Sequence, residues 1–282
     1  MASIEKLGLA TQEQTVLMEL LNRQHGLFLV VGLNREERLS TLRTLQIHLE
    51  AQRREIAPFN AGEILCESLF SEGADPVGAL SRSVSATAVL GLTKAPVALI
   101  PEIEDIATLE LACEQGGSGA LVLGTIEGSD GAAVISSLLA QGADPTLISQ
   151  NLLGVITQHA IRKACPLCRV DLAPSFQLEA AFEASFGQIG FPFPGFNLRE
   201  GRGCHTCDFT GYLGSTMVYE FLHLTNLVRE QVLEDPTLEK IDSKAMEEGM
   251  LPWEAKLFFR LKHGDIALRD AICVLERAQQ TL

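Results

Sequence analysis

The stretch GLFLVVGLNREERLSTLRTLQIHLE spans residues 26–50 and contains the clearest change of pattern in the chain. It opens with an unbroken apolar run from Leu27 to Val31, which predicts a strand buried on both of its faces. A polar segment follows Gly32, and apolar residues then recur at helical spacing from about Arg35 to Gln52. The stretch therefore predicts a strand, a short loop and a helix, which together form the repeating unit of an α/β fold.

Strands and helices continue to alternate around this unit. The sequence predicts helices over residues 11–24, 76–92, 131–141 and 145–163, strands within 96–105 and 116–130, and room for a short strand within 54–60. From about Met217 to the end of the chain it predicts helices separated by turns. Because each main strand is a continuous apolar run, we expect a mainly parallel sheet covered by helices on both faces.

Composition narrows the class of protein. The 282 residues are 46% hydrophobic but only 6% aromatic, a balance typical of helix-rich and α/β proteins. The formal net charge of -14 repels a phosphate backbone, which argues against nucleic acid as a partner. No apolar run approaches the ~20 residues of a membrane span, and the N-terminus MASIEKLGLATQEQ lacks a signal-peptide pattern. We therefore expect a cytoplasmic protein with no direct membrane insertion, which contacts a membrane only through partner proteins.

Four cysteines form two pairs, in the motifs CPLC and CHTC. Each pair places two thiolates on one side of a tight turn, and two facing turns supply the four sulfurs of a closed tetrahedral zinc site. The predicted ligands are Cys165, Cys168, Cys204 and Cys207. A Zn2+ ion held in this way supports folding and carries out no chemistry. His205 lies within the second pair but is not needed, because four sulfurs already complete the coordination shell.

Other interpretations of the cysteines are less favoured. A redox C-x-x-C motif occurs singly beside a strand, whereas this chain has two distant pairs. An odd number of cysteines without a secretory signal argues against a disulfide framework. The remaining cysteines lie alone in apolar segments and are expected to be small buried hydrophobic residues. They are Cys66, Cys113 and Cys273.

Several segments, in one consistent order around the cysteine pairs, resemble the ATPase family that drives type II secretion and type IV pilus assembly. They are LGLATQEQTVLMELLNRQHGLFLVVG at 7–32, ADPTLISQNLLGVITQHAIRKACPLC at 143–168, GCHTCDFTGYLGSTMVYEFL at 203–222 and EEGMLPWEAKLFFRLKHGDIALRDAICVL at 247–275. The resemblance implies a RecA-like P-loop NTPase fold, usually assembled as a hexamer on an inner-membrane platform protein. The family's separate N-terminal domain, which helps to enclose the nucleotide, is not contained in this sequence.

The pattern and the resemblance together divide the chain into three parts. The alternation of strands and helices breaks at Cys165, where a segment rich in Gly, Pro and Phe begins. We expect a RecA-like core over residues 1–160, an inserted tetracysteine zinc subdomain over 161–215 and a helical C-terminal subdomain over 216–282.

The phosphate loop of the resembled family is altered in this chain. A loop of the form G-x-x-x-x-G-K-[ST] binds phosphates through converging backbone N–H groups, a lysine and a Mg2+-binding hydroxyl. Here Gly32 matches the first glycine, Glu37 replaces the second, Arg38 replaces the lysine and Leu39 replaces the hydroxyl residue. The Ser-Thr pair at 40–41 is one position out of phase. Arg38 keeps the positive charge, but its planar guanidinium is not equivalent to a compact ammonium.

The same loop has the residues of a helix cap. Asn34 is a favoured N-cap residue, and Glu37 three positions later completes an N-x-x-E arrangement. Glu36 and Glu37 also complement the positive end of the helix dipole. We therefore expect this segment to cap its own helix where the family would bind ATP and Mg2+.

The segment VALIPEIED resembles the family's Walker B strand, which normally ends in Gly-Glu-Ile-Arg-Asp. Glu102 matches the glutamate that would activate the attacking water, and Asp105 matches the aspartate. Pro101 replaces the glycine and Glu104 replaces the arginine. Taken alone, Glu102 is equally well explained as an exposed residue at a strand end or in the first turn of a helix.

Other active positions of the family are also changed. The segment GALVLGTIEGS resembles its histidine box, but Ala120 and Glu127 stand where the two histidines would be. No acidic box is evident near residues 54–60, and Arg82 is the one candidate for a phosphate-facing arginine in the middle region. An exposed charge on a helix is the favoured interpretation of Arg82.

Loss of the lysine, the Mg2+ ligand and the phosphate-binding loop removes most of what this fold supplies to phosphoryl transfer. The sequence therefore predicts a pseudo-ATPase with a structural or regulatory role in a type IV pilus or type II secretion system. It would join a ring with copies of itself or with an active paralogue. The alternatives are a working ATPase that uses Arg38 and Glu102, or a module whose former nucleotide pocket takes another ligand or a protein segment.

Overall fold

A computed structural model describes residues 4–7, 9, 11–56, 96–173, 175–187, 189–193 and 198–280. Four predicted features lie outside these residues, so the structure leaves them as predictions. They are most of the short strand within 54–60, the helix over 76–92, Arg82 and Cys66.

The described residues form strands and helices in an alternating order up to the cysteine module. The first half contains α1 Thr11–Leu21, β1 Gly26–Gly32, α2 Arg35–Ala51, β2 Val97–Ile100, α3 Ile106–Gly117, β3 Leu121–Glu127, α4 Gly131–Ala140 and α5 Pro145–Asn151. The second half contains β4 Leu152–Ala164, β5 Arg169–Asp171, α6 Phe176–Phe182, β6 Arg199–Gly201, β7 Tyr212–His223, α7 Asn226–Glu234, α8 Leu238–Glu247, α9 Trp253–Lys262 and α10 Leu268–Gln279.

Five strands form the central sheet in the order β2-β3-β1-β4-β7. All neighbours are parallel except β7, which runs antiparallel to β4. Ile56 adds an isolated parallel bridge to Val97 at the β2 edge. The predicted α/β class with a mainly parallel sheet is therefore confirmed.

The strand β1 is buried along its whole length, as its unbroken apolar run predicts. Leu27, Leu29 and Val31 belong to the apolar core on one face of the sheet, and Phe28 and Val30 belong to the core on the other. This division follows from the alternation of side chains along a strand. A third apolar core forms where α6 packs near α9 and α10.

Two secondary-structure predictions in the second half are wrong. The helix expected over 145–163 ends at Asn151, and β4 begins at the next residue. The chain is not helical from Met217, because β7 continues to His223 and pairs with β4. A short buried apolar run does not distinguish a helix from a strand by periodicity alone, and the β-branched run over 155–157 favours the strand.

The strands β4 and β7 connect the core to the cysteine module. They pair from Gly154 with His223, in the central sheet, to Ala164 with Tyr212, beside the cysteines. The expected divisions after residues 160 and 215 therefore fall inside these two strands. The three-part division of the chain stays a prediction, but the module is carried on an extension of the core sheet.

Within the part of the chain that the structure describes, no helix is long and apolar enough to cross a membrane.

Candidate functional site

A cleft of about 540 Å3 lies at the carboxyl ends of β2 and β3, beside the start of α2. This is the edge of an open α/β sheet where ligands generally bind. The cleft is lined by Arg35, Arg38, Glu102, Ile103, Glu104, Asp105, Ile106, Ile126, Glu127, Gly128, Ser129, Ala133, Val134, Ser137, Leu138 and Gln141. The structure thus brings the altered phosphate loop and the altered Walker B segment to one site.

Arg38 forms the central contact of this cleft. Its Nη2 donates to both carboxylate oxygens of Glu102, at 2.7 and 2.8 Å, and its Nη1 donates to the backbone carbonyl of Gly32. The Arg38 side chain is only 2% exposed, whereas that of Glu102 is 15% exposed. Arg35 adds a longer contact, with its Nε 3.4 Å from Glu102. The arginine that replaces the lysine is therefore already occupied by the protein's own oxygen atoms.

The loop between β1 and α2 is closed by a side-chain cap. Asn34 Oδ1 accepts from the backbone N–H of Glu36 at 2.9 Å and of Glu37 at 3.2 Å. The predicted N-cap at Asn34 is confirmed. Glu37 lies in the first turn of the helix, where burial raises the pKa of its carboxyl.

Two more helices that begin at this edge of the sheet are capped in the same way. Asp105 accepts from the backbone N–H of Thr108 at 2.6 Å at the start of α3, and this hydrogen bond lowers the pKa of Asp105. Asp130 accepts from the backbone N–H of Ala133 at 2.8 Å at the start of α4, and burial raises the pKa of Asp130. Free helix N-termini attract anions. Here the protein's own oxygens already bind N–H groups at all three helix starts.

The residues that follow Arg38 do not line the cleft. Leu39 is partly buried and packs against the apolar core on the α2 side of the sheet. Thr41 is 4% exposed, and its hydroxyl donates to Gln158 Oε1 of β4 at 2.6 Å. Ser40 is exposed on the helix surface. Leu39 and Thr41 therefore contact other parts of the protein and not the cleft.

The residues at the histidine-box positions lie at opposite ends of β3. Ala120 directly precedes the strand, and Glu127 is its exposed last residue. Only Glu127 reaches the cleft. It brings a negative charge to the site.

The four paired cysteines come together as their spacing predicts. Their sulfur atoms all lie within 4.8 Å of one another. The Sγ–Sγ distances are 3.9 Å for Cys165 and Cys204, 3.8 Å for Cys168 and Cys207, and 3.7 Å for Cys204 and Cys207. A tetrahedron of sulfurs with metal–sulfur bonds of about 2.3 Å has edges of about 3.8 Å. The cluster therefore fits a tetrahedral metal ion.

Backbone N–H groups donate to two sulfurs of this cluster. Gly203 donates to Cys168 at 3.3 Å, while Cys204 and Gly211 donate to Cys207 at 3.2 and 3.3 Å. Burial raises the pKa of Cys207, but these hydrogen bonds outweigh it and lower the pKa to about 6. His205 is not part of the cluster and packs edge-on against Phe209 instead.

The remaining described cysteines do not join this cluster. Cys113 is fully buried, as predicted, and burial raises the pKa of its thiol to about 12. Cys273 is only partly buried, which differs from the expectation.

Sequence reasoning missed a group of four carboxyl residues around β7, of which Glu220 is buried and the other three are partly buried. Glu220 of β7 is 2% exposed, and its carboxyl interacts electrostatically with Asp130, Asp242 and Glu254. Burial raises the pKa of Glu220 well above its ordinary value, and that of Asp242 and of Glu254 to about 7. The residues are far apart in sequence, so no spacing revealed them. The available signal was one glutamate inside the apolar run VYEFL.

Glu220 joins the core sheet to the C-terminal helices. Glu220 Oε2 accepts from the backbone N–H of Trp253 at 3.1 Å, at the start of α9. His159 of β4 stacks on the Trp253 ring at 3.9 Å, and burial lowers the pKa of His159 to about 4. This region therefore links β4 and β7 with α9 through buried polar groups.

The profile of the family described as Type II/IV secretion system protein matches residues 1–257. The chain belongs to this family. The family resemblance that the sequence predicts is thereby confirmed.

Members of the Type II/IV secretion system family from several bacteria are similar in sequence. The chain is 32% identical over 212 residues to type II secretion system protein E of Klebsiella pneumoniae. The aligned residues cover 74% of this chain and 41% of the relative. It is 29% identical over 230 residues to the protein of the same name from Dickeya dadantii, which covers 81% of this chain and 44% of the relative. The chain thus spans less than half the length of these relatives.

Solved structures share the fold. The Legionella pneumophila ATPase DotB superposes with a TM-score of 0.59 at 14% identity, covering 97% of this chain and 65% of that one. The pilus retraction motor PilT, solved with bound ADP, gives a TM-score of 0.58 at 17% identity and covers 96% of this chain and 66% of that one. At these identities the superpositions support the predicted RecA-like ATPase fold.

Proposed function

We propose that this chain is a non-catalytic subunit, a pseudo-ATPase, of a type II secretion or type IV pilus machine. The observation that carries the proposal is the ion pair of Arg38 with Glu102, which lies where the family would hold phosphate.

The ion pair occupies both groups that a nucleotide reaction would need. A phosphate loop uses its cation to meet the β and γ phosphates, but Arg38 already donates to Glu102 and to Gly32. A glutamate that activates water must be free to accept a proton from it. Glu102 instead contacts the guanidinium with both of its oxygens.

No other residue of the site takes over the roles of the phosphate-binding cation and the water-activating glutamate. Leu39 offers no hydroxyl to Mg2+, and Asn34 takes the N–H groups at the start of α2. Phosphoryl transfer depends on positioning and on charge stabilisation, and these residues supply neither.

The role that follows is structural or regulatory. The subunit would assemble in a ring, expected to be hexameric, with copies of itself or with an active ATPase paralogue. It would act in the cytoplasm, peripheral to the inner membrane through the platform protein of the machine. A Zn2+ ion on the four cysteines would stabilise the cysteine module, with no part in chemistry.

The test is a calorimetric titration of metal-loaded protein with Mg-ATP, with the mass in solution measured alongside. We expect no binding at micromolar nucleotide. A matched variant rebuilds the loop with Glu37→Gly, Arg38→Lys and Leu39→Thr, and binding gained by this variant alone supports the proposal. Micromolar binding of Mg-ATP by the unaltered chain contradicts it.

The alternative is a working ATPase with Glu102 as the general base. It requires phosphate release by the unaltered protein that disappears in Glu102→Gln. The absence of release from a folded, assembled sample counts against it.

A further inference from the structure

We propose that the outer edge of β7 binds one extended, apolar segment of a partner protein, which adds to the central sheet as a further strand. The proposal goes beyond the proposed function, because β7 and β2 form the two opposite edges of this sheet and the cleft of Glu102 lies at β2. Strand addition of this kind joins two proteins through backbone hydrogen bonds.

The strand β7 has a neighbouring strand on one side only. Along an antiparallel pair, the N–H and C=O groups of alternate residues point toward the partner strand and away from it. The Tyr219 carbonyl points away from β4, because it accepts from Nζ of Lys256 at 2.6 Å. Met217, Tyr219 and Phe221 therefore direct their backbone groups outward. Among the described residues, only this lysine hydrogen-bonds to them on that side.

Three cavities follow this edge in a row. They measure about 420, 220 and 190 Å3, and residues of β7 line each of them. The largest shares Met217 and Tyr219 with the second cavity, and Glu13 and Leu251 with the third. The cavities thus form one trench along β7 between α1 and α9, which we call the β7 trench. From Met217 to the end of the strand it extends about 20 Å, the length of five or six residues of an added strand.

The walls of the β7 trench expose apolar surface. Leu251 and Phe259 line the largest cavity with 42% and 50% of their surface exposed. Leu9 and Met217 line the same cavity. Exposed apolar surface gathered in one place is typical of a site that another molecule covers.

The charged side chains of the largest cavity form ion pairs with each other. Lys256 pairs with Glu13, and Arg260 with Asp265 at 3.7 Å. The middle of the trench therefore offers no free charge to a ligand, and an uncharged segment fits it best. Branched apolar residues such as valine and isoleucine suit an extended segment in this position.

Lys256 crosses the β7 trench from α9. Its Nζ contacts both Glu13 of α1 and the Tyr219 carbonyl of β7. A lysine at a sheet edge protects that edge from unwanted pairing. When a segment pairs with β7, an N–H group of the segment takes the Tyr219 carbonyl, while Lys256 keeps its contact with Glu13.

The same walls exclude pairing between the β7 edges of two copies. The edge lies between α1 and α9, and Tyr219 is only 5% exposed. Paired strands must approach to about 4.8 Å, and the helices that flank β7 in each copy prevent this approach. A single extended segment meets no such obstacle. The partner is therefore expected to supply it from a chain terminus or an exposed loop.

The probe is the peptide acetyl-Thr-Val-Thr-Ile-Thr-Val-Thr-amide, N-methylated on its valines and isoleucine. One of its edges can pair with a strand and the other cannot, so the peptide does not build larger sheets. The control peptide has the same sequence and is N-methylated on every residue. It keeps the side chains but has no backbone N–H donor between its end groups.

The full chain, metal-loaded, is titrated with each peptide in fluorescein-labelled form, and anisotropy gives the Kd. Residue-resolved hydrogen exchange is measured with and without the unlabelled peptides. We expect the first peptide to bind and to slow exchange of the outward amides of Met217, Tyr219 and Phe221 by about tenfold or more. The fully methylated peptide is expected to do neither.

A pair of variants at one position tests the edge itself. Met217→Pro removes an outward N–H, and proline is tolerated on an edge strand where the N–H faces away from the sheet. Met217→Ala keeps the N–H. The proline variant is expected to bind the first peptide at least about tenfold more weakly than the alanine variant does.

A second pair tests the wall of the β7 trench and does not alter the strand. Phe259→Ser removes an exposed apolar side chain of the trench and is expected to weaken binding about tenfold. Leu233→Ser removes an equally exposed apolar side chain of α7, outside the lining of the trench, and is expected to bind as the parent does.

Several outcomes overturn the proposal. They are the absence of binding, equal binding of the two peptides, and parental binding by both Met217→Pro and Phe259→Ser. Self-association of the chain that the first peptide abolishes would assign the edge to a second copy and overturn the choice of a partner protein. The Mg-ATP titration probes the opposite edge of the sheet, so either proposal can fail while the other stands.

Discussion

Arg38 Nη2 lies 2.7 and 2.8 Å from the two carboxylate oxygens of Glu102, and this pair joins the first turns of α2 to the end of β2. The two partners differ in burial, with 2% of the Arg38 side chain exposed against 15% for Glu102. If one partner is removed, the charge of the other has no counter-ion. The loss of stability is greater when the remaining charge is the more buried one.

The first prediction is therefore an asymmetry between the two single variants. Glu102→Leu leaves the buried guanidinium without its counter-ion and should lower the free energy of unfolding by about 3–5 kcal/mol. Arg38→Met should lower it less, because Glu102 keeps Arg35 and some solvent. The double variant should recover most of the loss. Urea unfolding measures all three, and a double variant as unstable as the sum of the single variants would contradict the prediction.

The second prediction concerns the cap on α2. Asn34→Ala removes the acceptor for two backbone N–H groups and should cost about 1 kcal/mol of stability. Asn34→Asp keeps a side-chain oxygen at the cap and should retain stability close to that of the parent. Thermal and urea unfolding of both variants check this. Equal losses would show that the cap does not stabilise the helix.

The third prediction concerns pH. Burial raises the pKa of Asp242 and Glu254 to about 7, and that of Glu220 well above its ordinary value. The folded state thus holds protons that the unfolded state has released, so stability should fall as pH rises from about 4 through 7. His159, with its pKa lowered to about 4, contributes the opposite slope, between about 4 and 6.5.

The variant Glu220→Gln isolates the carboxyl contribution, because His159 is common to both proteins. Its amide oxygen can still accept from the Trp253 N–H. Relative to the parent, this variant should gain stability as pH rises toward 8. Glu276→Gln, at an exposed position on α10, serves as the control. A constant difference between the parent and Glu220→Gln across this range would argue against buried, protonated carboxyls.

The fourth prediction concerns the cysteine cluster. Cys165→Ser with Cys204→Ser removes two of the four clustered sulfurs and should abolish retention of the zinc that we expect the parent to hold. The module should then lose its protection from proteolysis, because its metal-binding energy is folding energy. Cys273→Ser, outside the cluster, should retain the metal. Metal analysis of the purified proteins decides the outcome, and an unaltered chain without zinc would refute the assignment.

The fifth prediction tests the close backbone approach beside the cysteines. Gly211 has φ +80°, and a Cβ there would lie 2.4 Å from the Gly201 carbonyl oxygen. Gly211→Ala should therefore destabilise the module and weaken zinc retention. Gly142 has φ +105° but open space around it, so Gly142→Ala carries backbone strain without the clash. If the two variants lose stability equally and both keep zinc, the close approach has no role.

Local sequence signals were sufficient for β1, for the start of α2 and for the cysteine cluster. The run from Leu27 to Val31 gave β1 within one residue at each end, and Asn34 gave the start of α2. The spacing within each C-x-x-C pair gave the four clustered sulfurs. These signals are local, because the residues that determine each feature are neighbours in sequence.

The second half was less predictable because its strands depend on each other. Residues 152–164 and 212–223 mix apolar and polar residues without a clear helical or strand period, and their antiparallel pairing makes them β4 and β7. Their pairing also buries Glu220, whose one signal in the sequence was its place inside the apolar run VYEFL.

The sequence by itself determined that the loop after β1 lacks the lysine and the hydroxyl of the family's pattern, because Arg38 and Leu39 stand at those positions. It also determined that four thiols would meet, since two tight turns present them. Only the tertiary structure decided which groups Arg38 and Glu102 contact. Arg38 and Glu102 are separated by 64 residues, and they pair because β1 and β2 end at the same edge of one parallel sheet.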